Sequence, residues 1–424
     1  MAPGQARDAG GHLTLGAIPA EDLAAAYGTP VLVIDLAVVD AAIDALKRCA
    51  QTYDLEISYA AKAFATVEFI RHVAAREIGL DVCSLGELIT AERAGFPPQR
   101  ITLHGAGKTD EELAAACSGR VGFIAVDGIE ELARLMRLAR NGSSAQVILR
   151  LNVGIEARTH AFVRTGGDDT KFGIHPRDEA AAASMLRENS TTLFAGLHAH
   201  VGSQIRQIEP YLATAAALAA AAERFARWGL PARRLVIGGG FGVQTRPESN
   251  DESLDVPATI REVAERVAAQ ARAHGVPVPQ IGIEPGRALI GAAGTTLYRV
   301  LAVKRQSNRT FVVVDGGIAE NPRPALYGAR HHVLTVAPPL RDEEIVTLCG
   351  RSCENDELGV VSLPRGVRTG DLLAMCATGA YTYSMAGNYN RFPRPAVVAV
   401  SNGSHRRLAL RESIDDVLRN DAVD

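Results

Sequence analysis

The chain has 424 residues, 47% hydrophobic and 22% charged, enough to bury one large core and a second, smaller one. Its formal net charge of −3 offers no basic field for nucleic acid or an anionic membrane surface. Six cysteines in a chain of this length do not make a disulfide framework, and Cys349 and Cys353 lack a second pair at zinc-finger spacing. A reduced, cytoplasmic compartment is therefore expected. The first residues mix Gly, Arg and Asp without a continuous apolar run, so no secretory signal is expected.

In chain order, the first strand-like run is Val31–Asp35, which either leads into the next domain or joins the β-rich one described below. Short apolar runs then alternate with Ala/Leu/Glu/Arg-rich stretches. The runs are Ile57–Ala60, Leu80–Cys83, Ile101–Leu103, Gly122–Val126, Val147–Leu151, Phe194–Ala199, Arg234–Ile237 and Ile281–Glu284. Helical patterns lie between them at Thr109–Cys117, Ile129–Ala139, Leu212–Trp228 and Ile260–Ala273. The apolar segment Leu212–Ala222 is Ala-rich and shorter than a bilayer span, which predicts a buried or half-buried helix. Eight βα units in about 250 residues predict a (β/α)8 TIM barrel, with a doubly wound sheet as the alternative.

After Gly291 the runs Thr295–Val303, Thr310–Asp315, His332–Val336, Ile345–Leu348, Leu372–Cys376 and Val397–Val400 are strand-like and punctuated by Gly, Pro and Asn. The expected organisation is an α/β barrel over 36–289 and a β-rich barrel or sandwich domain formed by 1–35 and 290–424.

Barrel chemistry sits at the C-terminal ends of the strands. There the sequence places Lys62, Asp81, His104, Asp127, Asn152, His200, Gly238–Gly240 and Glu284–Arg287. Lys62 is either a solvated loop lysine or a semi-buried amine, made nucleophilic toward an aldehyde by desolvation. IGGGFG (Ile237–Gly242) and EPGR (Glu284–Arg287) follow strands seven and eight, where barrels commonly bind phosphate; a plain tight turn is the alternative for the glycines. GGGFG lacks dinucleotide-fold spacing. Glu284 beside an anion site would answer a cation such as a protonated pyridine nitrogen, or else pair with Arg287. In HAHVGSQ (His198–Gln204), two histidines share a strand face, but no further metal ligand stands at clear spacing. A flat imidazole stacked on an aromatic cofactor, with Ser203 bonding that cofactor, suits the motif better; simple packing is the other reading.

In this order, YAAKAF, GLDVCSLGEL, HGAGKTDEEL, RTHAFVRTGGDDTKFGI, GLHAHVGSQI, IGGGFG, EPGRALI, VDGGIAENPRPALYGA, GRSCEN and TGAYTYSMAGNYN resemble the fold-type III decarboxylases that use pyridoxal 5′-phosphate (PLP). The resemblance covers roughly residues 15–415 and is closest to the diaminopimelate decarboxylases, which make lysine from meso-diaminopimelate. It implies a PLP-binding barrel with Lys62 holding the cofactor and His200 stacked on the ring. Asp81, Ser203, Gly238, Gly239, Gly240, Gly286, Arg287 and Tyr381 would surround ring and phosphate, with Glu284 at the pyridine nitrogen. It further implies that Arg287, Arg323, Tyr327 and Tyr381 bind substrate, that Cys353 is the proton donor and that Glu354 reads the distal amino group. Cys353 and Glu354 would come from the partner of a homodimer. No metal is implied.

Three motifs depart from the family: HGAGK for HGNNK (His104–Lys108), CENDE for CESGD (Cys353–Glu357), and Ile318 for Met. Related decarboxylases acting on ornithine, arginine or a carrier-linked glutamate share the PLP set. An alanine-racemase-like enzyme would want a tyrosine base in place of the Cys353 motif, and a PLP-free binding protein would not need Lys62.

Overall fold

The computed structural model describes residues 1–139, 145–155, 169–189, 192–245, 254–273, 275, 277–339 and 342–422. The chain divides into two compact units, one of Ile43–Gly242 and Ser253–Ala288, the other of Met1–Ala42, Val243–Glu252 and Leu289–Asp424.

In the first unit eight parallel strands close into a barrel in sequence order. They are β1 (Leu55–Ala60), β2 (Gly79–Val82), β3 (Ile101–Leu103), β4 (Phe123–Val126), β5 (Ala145–Arg150), β6 (Thr192–His198), β7 (Arg234–Val236) and β8 (Gln280–Ile283). Closure is made by Ile281, Gly282 and Ile283 lying opposite Leu55, Glu56 and Ile57. The strands lie where the sequence predicts them. Their aliphatic runs suit strands covered on both faces, and Leu80, Ile101, Leu103, Ile124, Val126, Val147 and Leu149 are fully buried.

Side-chain caps start the outer helices by taking up N–H groups that have no partner inside the helix. Thr66 caps Val67–Ala75, Ser84 caps Leu85–Arg93, and Thr109 with Glu112 forms a capping box on Asp110–Cys117. The Ala-rich helix runs from Glu209 to Arg227 and buries Tyr211, Thr214, Ala215, Leu218, Ala221 and Phe225 along one stripe. It is therefore half-buried, and among the described residues no helix is long and apolar enough to cross a membrane.

The second unit is mainly β. Val31–Asp35 belongs here: it pairs antiparallel with Gly294–Leu297 and parallel with Ala396–Val400. The long strand Gly294–Arg305 also pairs with Thr310–Val314 and Leu372–Cys376, and the hairpin Glu343–Cys349 with Glu357–Pro364 extends the sheet. Among the described residues five strands escape the sequence reading: Gln5–Arg7, Leu13–Leu15 and Ile18–Pro19, which form a small antiparallel sheet, together with Glu357–Pro364 and Ser404–Ala409. In Glu357–Pro364 only Leu358 and Leu363 are buried, and Ser404–Ala409 is an edge strand whose first four residues are exposed. Two hydrophobic clusters fill this unit, one around Leu13, Val33, Leu297 and Val398, the other around Tyr298, Val312, Leu348 and Leu373. All six cysteines are free thiols.

Candidate active site

The polar strand ends predicted from sequence meet at the mouth of the barrel. Lys62 follows β1 in a short 3-10 turn, Ala61–Ala63. Of the two states the sequence left open, solvated or semi-buried, the lysine side chain is exposed, while Ala61 and Ala63 pack inward. Its ammonium is close enough to bear on the ionisation of both Asp81 and His200.

Glu284, after β8, is the electrostatic centre of the site. Its Oε2 lies 3.1 Å from His198 Nε2 and its Oε1 3.1 Å from His104 Nε2. Burial alone would raise this carboxyl, but the two imidazoles outweigh it and hold Glu284 well below the usual carboxylate range. Asp81, at the end of β2 and 3.8 Å from the same His104 nitrogen, moves the opposite way. Burial and the neighbouring Glu284 charge push it well above its usual range, with Lys62 opposing. Burial also lowers His198 to about 4 despite Glu284, so that ring is neutral at pH 7. The sequence left Arg287 open as the partner of Glu284. In the structure the two glutamate oxygens face imidazoles, and Arg287 Nη2 lies 3.5 Å from Ser203 Oγ.

The glycine loop is held by its neighbours. Gly239 donates its N–H to His200 Nδ1 at 3.2 Å, so a neutral His200 ring carries its proton on Nε2. Burial, with the nearby Lys62 and Arg150 charges, keeps His200 well below the usual imidazole range. Backbone bonds from Ile205 N to Gly240 O (2.9 Å) and from Gly242 N to Ile205 O (2.8 Å) bind the Ser203 loop to this turn. A Cβ on Gly239 would lie 2.0 Å from Glu284 O, and one on Gly240 would lie 2.0 Å from Gly202 O. We expect Gly239→Ala to shift both loops and to weaken PLP affinity at least about tenfold, measured by absorbance titration. Affinity equal to wild type would show that the loop yields without cost.

Behind this layer Arg150, ending β5, is buried, pairs with Asp127 at 3.2 Å and lies 4.5 Å from the Phe172 ring. Lys108 is also buried and donates to Glu131 (2.8 Å), Ala125 O (2.6 Å) and Gly105 O (2.9 Å), fixing the loop that follows His104. Of the motif beginning RTHAF, residues 158–168 lie outside the described residues.

The remaining sites from the sequence lie in the β-rich unit. Arg323 is buried and sits 5.7 Å from the Tyr327 ring and 6.0 Å from the Tyr381 ring. Tyr381 adopts a left-handed backbone, φ +58°. Cys353 and Glu354 are exposed, with Tyr389 donating its hydroxyl to Glu354. The departure CENDE has a structural use. Asp356 is buried at φ +46° and accepts from Ile318 N at 2.7 Å and Ser352 N at 3.2 Å. Its carboxylate thus latches the loop carrying Cys353 and Glu354 and is turned away from solvent.

The donor set suits PLP: an amine for the aldehyde, an ionised carboxylate for a ring cation, and a glycine turn with a hydroxyl and a guanidinium for a phosphate. What sequence reasoning missed is the contact of His104 and His198 with Glu284. His104 stood among the strand-end residues and His198 in the HAHVGSQ motif, but their common target lies 86 residues beyond His198 and is brought near only by barrel closure.

The family described as pyridoxal-dependent decarboxylase, pyridoxal binding domain, matches residues 37–291. Diaminopimelate decarboxylase of Actinosynnema pretiosum subsp. auranticum is 41% identical over 415 residues, covering 97% of this chain and 93% of its own length. The Bacillus subtilis (strain 168) enzyme of the same name is 38% identical over 422 residues, with 97% and 95% covered. A crystal structure of diaminopimelate decarboxylase from M. jannaschii in co-complex with L-lysine superposes with a TM-score of 0.90 at 28% identity, covering 100% of this chain and 98% of the other. The chain belongs to the pyridoxal-dependent decarboxylase family, among the diaminopimelate decarboxylases.

Proposed function

We propose that this chain decarboxylates meso-2,6-diaminopimelate to L-lysine and CO2 with PLP as cofactor, the last step of lysine biosynthesis. The observation that carries this is Glu284, largely shielded at the barrel mouth, facing the imidazoles of His104 and His198 and bonded through its N–H to Gly238 O of the glycine turn, with Arg287 and Ser203 close by. Close relatives bearing the diaminopimelate decarboxylase name, one of them crystallised with L-lysine, support the choice of substrate.

When bound, PLP supplies an electron sink for the bond that releases CO2. Lys62 holds the cofactor through its amine and takes part in proton transfer when substrate replaces it. Glu284 keeps a proton on the ring nitrogen, and the neutral His200 ring offers a flat face to stack on. Ser203, Gly238–Gly240, Gly286 and Arg287 hold the phosphate, and Asp81 and Tyr381 are further cofactor-binding residues. Arg323 and Tyr327 anchor the carboxylate that stays. A guanidinium buried at this position suits a diacid and leaves lysine or ornithine with an unpaired charge to bury.

The Cys353 thiol delivers a proton to the carbon that lost CO2, and Glu354 pairs with the distal ammonium. Both side chains are exposed on their own unit, which supports a homodimer in which Cys353 and Glu354 of one subunit serve the site of the other. An exposed Cys353 fits a residue completed by a partner better than one buried in its own fold. The reducing cytoplasm suits an enzyme that depends on a free thiol.

The test is CO2 release from meso-diaminopimelate, ornithine, arginine and lysine, together with borohydride reduction and peptide mapping. We expect CO2 from diaminopimelate alone and the cofactor on the peptide containing Lys62. A preference for ornithine or arginine would move the chain to another branch of the family, and an unlabelled Lys62 would overturn the cofactor assignment.

A further inference from the structure

We propose that His104 and His198 act as a two-sided clamp on Glu284, positioning residues that hold its carboxylate in orientation and charge for the cofactor ring nitrogen. The inference rests on the PLP reading above and deepens it. The three side chains come from the ends of β3, β6 and β8, strands that are not neighbours in the barrel, so they meet only across its interior.

Each carboxylate oxygen has its own ring nitrogen: Oε1 faces His104 Nε2 and Oε2 faces His198 Nε2, both at 3.1 Å. The two imidazoles lie edge to face, with centroids 5.1 Å apart and planes at 60°. Backbone bonds fix all three positions independently of these contacts: His104 N to Val82 O at 2.7 Å, Leu151 N to His198 O at 2.8 Å, and Glu284 N to Gly238 O at 2.8 Å.

The tautomer follows from what surrounds His198. Its Nδ1 is buried with no hydrogen-bond partner among the described residues. An imidazole N–H buried without an acceptor costs more than a bare lone pair, so the single hydrogen of the neutral ring sits on Nε2 and is donated to Glu284. His104 reaches its oxygen at the same distance but without hydrogen-bond alignment, so His198 is the stronger half of the clamp.

The clamp has work to do because Glu284 is not the only acid here. Asp81 is buried 3.8 Å from His104 Nε2, so two carboxylates that share one imidazole compete to stay ionised. Directing both imidazoles onto Glu284 favours the negative charge there, while burial and that charge push Asp81 upward. Arg150, Lys62 and His200 also act on this cluster, Arg150 and Lys62 as cations and His200 as a third imidazole. The same three donor atoms lie within 4.8 Å of one another, a spacing that a divalent ion could also bridge.

The test uses holoenzyme carrying PLP labelled with 15N at the ring nitrogen, in wild type, His198→Ala, His198→Gln and His104→Gln. Gln keeps an N–H donor; Ala removes it. Expected is a protonated ring-nitrogen resonance in wild type, displaced toward the unprotonated position in His198→Ala. The kcat of His198→Ala falls about 10–100-fold while KM for diaminopimelate stays within about threefold. His198→Gln restores the resonance and most of kcat, and His104→Gln changes both less than His198→Ala does. A wild-type resonance and kcat in His198→Ala, with PLP bound and Lys62 labelled by borohydride, overturns the clamp and leaves the decarboxylase reading standing. Stoichiometric metal on these residues in the purified enzyme overturns the clamp as well. A wild-type chain that takes up no PLP overturns both readings.

Discussion

Lys62→Ala and Cys353→Ala protomers, each with at most about 1% of wild-type activity alone, should regain about a quarter of wild-type activity when mixed in equal amounts and allowed to exchange subunits. The arithmetic follows from a site shared across a two-fold axis. Random pairing makes about half the dimers hybrids, and each hybrid has one site with both an intact Lys62 and an intact Cys353 and one with neither. Cys353→Ala alone should cost about 10²–10⁴-fold, the usual range for a positioned proton donor. The premise is an exposed Cys353 in a loop that Asp356 fixes from inside through Ile318 N and Ser352 N. Differently tagged protomers allow the hybrid to be isolated and counted. Isolated hybrids without activity would place Lys62 and Cys353 of the same subunit in one site.

The second large effect falls on substrate selection. Arg323→Ala should raise KM for diaminopimelate by about 30-fold to several thousand-fold, matching about 2–5 kcal/mol for removing one partner of a buried charged pair. The PLP absorbance should stay nearly unchanged, because Arg323 is assigned to the substrate carboxylate and not to the cofactor. Arg323 is buried beside Tyr327 and Tyr381, so its guanidinium is held in place before substrate arrives. Arg323→Lys should recover only part of the loss, since an ammonium cannot match a carboxylate with two parallel hydrogen bonds. Kinetics equal to wild type in Arg323→Ala would remove this residue from the substrate site. A lost PLP spectrum would move it to the cofactor.

Sequence patterning was enough for the barrel, because its local signals agree. Aliphatic runs, capping residues such as Thr109 with Glu112, and Ala-rich helical stripes all repeat at the spacing of a βα unit. Polar residues at the ends of those runs marked the mouth of the barrel, since apolar positions precede each one. The β-rich unit was legible in part. Its central strands carry β-branched runs, whereas Ser404–Ala409 is polar and mostly exposed at a sheet edge, with no buried face to leave a pattern.

The sequence by itself determined the barrel, the glycine turn after β7 and the strand-end residues available for chemistry, because each depends on neighbours within a few positions. It did not determine how those residues divide their charges. Only barrel closure brought His104 and His198 to opposite oxygens of Glu284 and set Asp81 against it. Only the packed loop showed Asp356 as an inward latch rather than a further acid facing substrate. Ionisation and hydrogen bonding depend on burial and on atoms within a few ångströms, and those neighbours lie many residues apart along the chain.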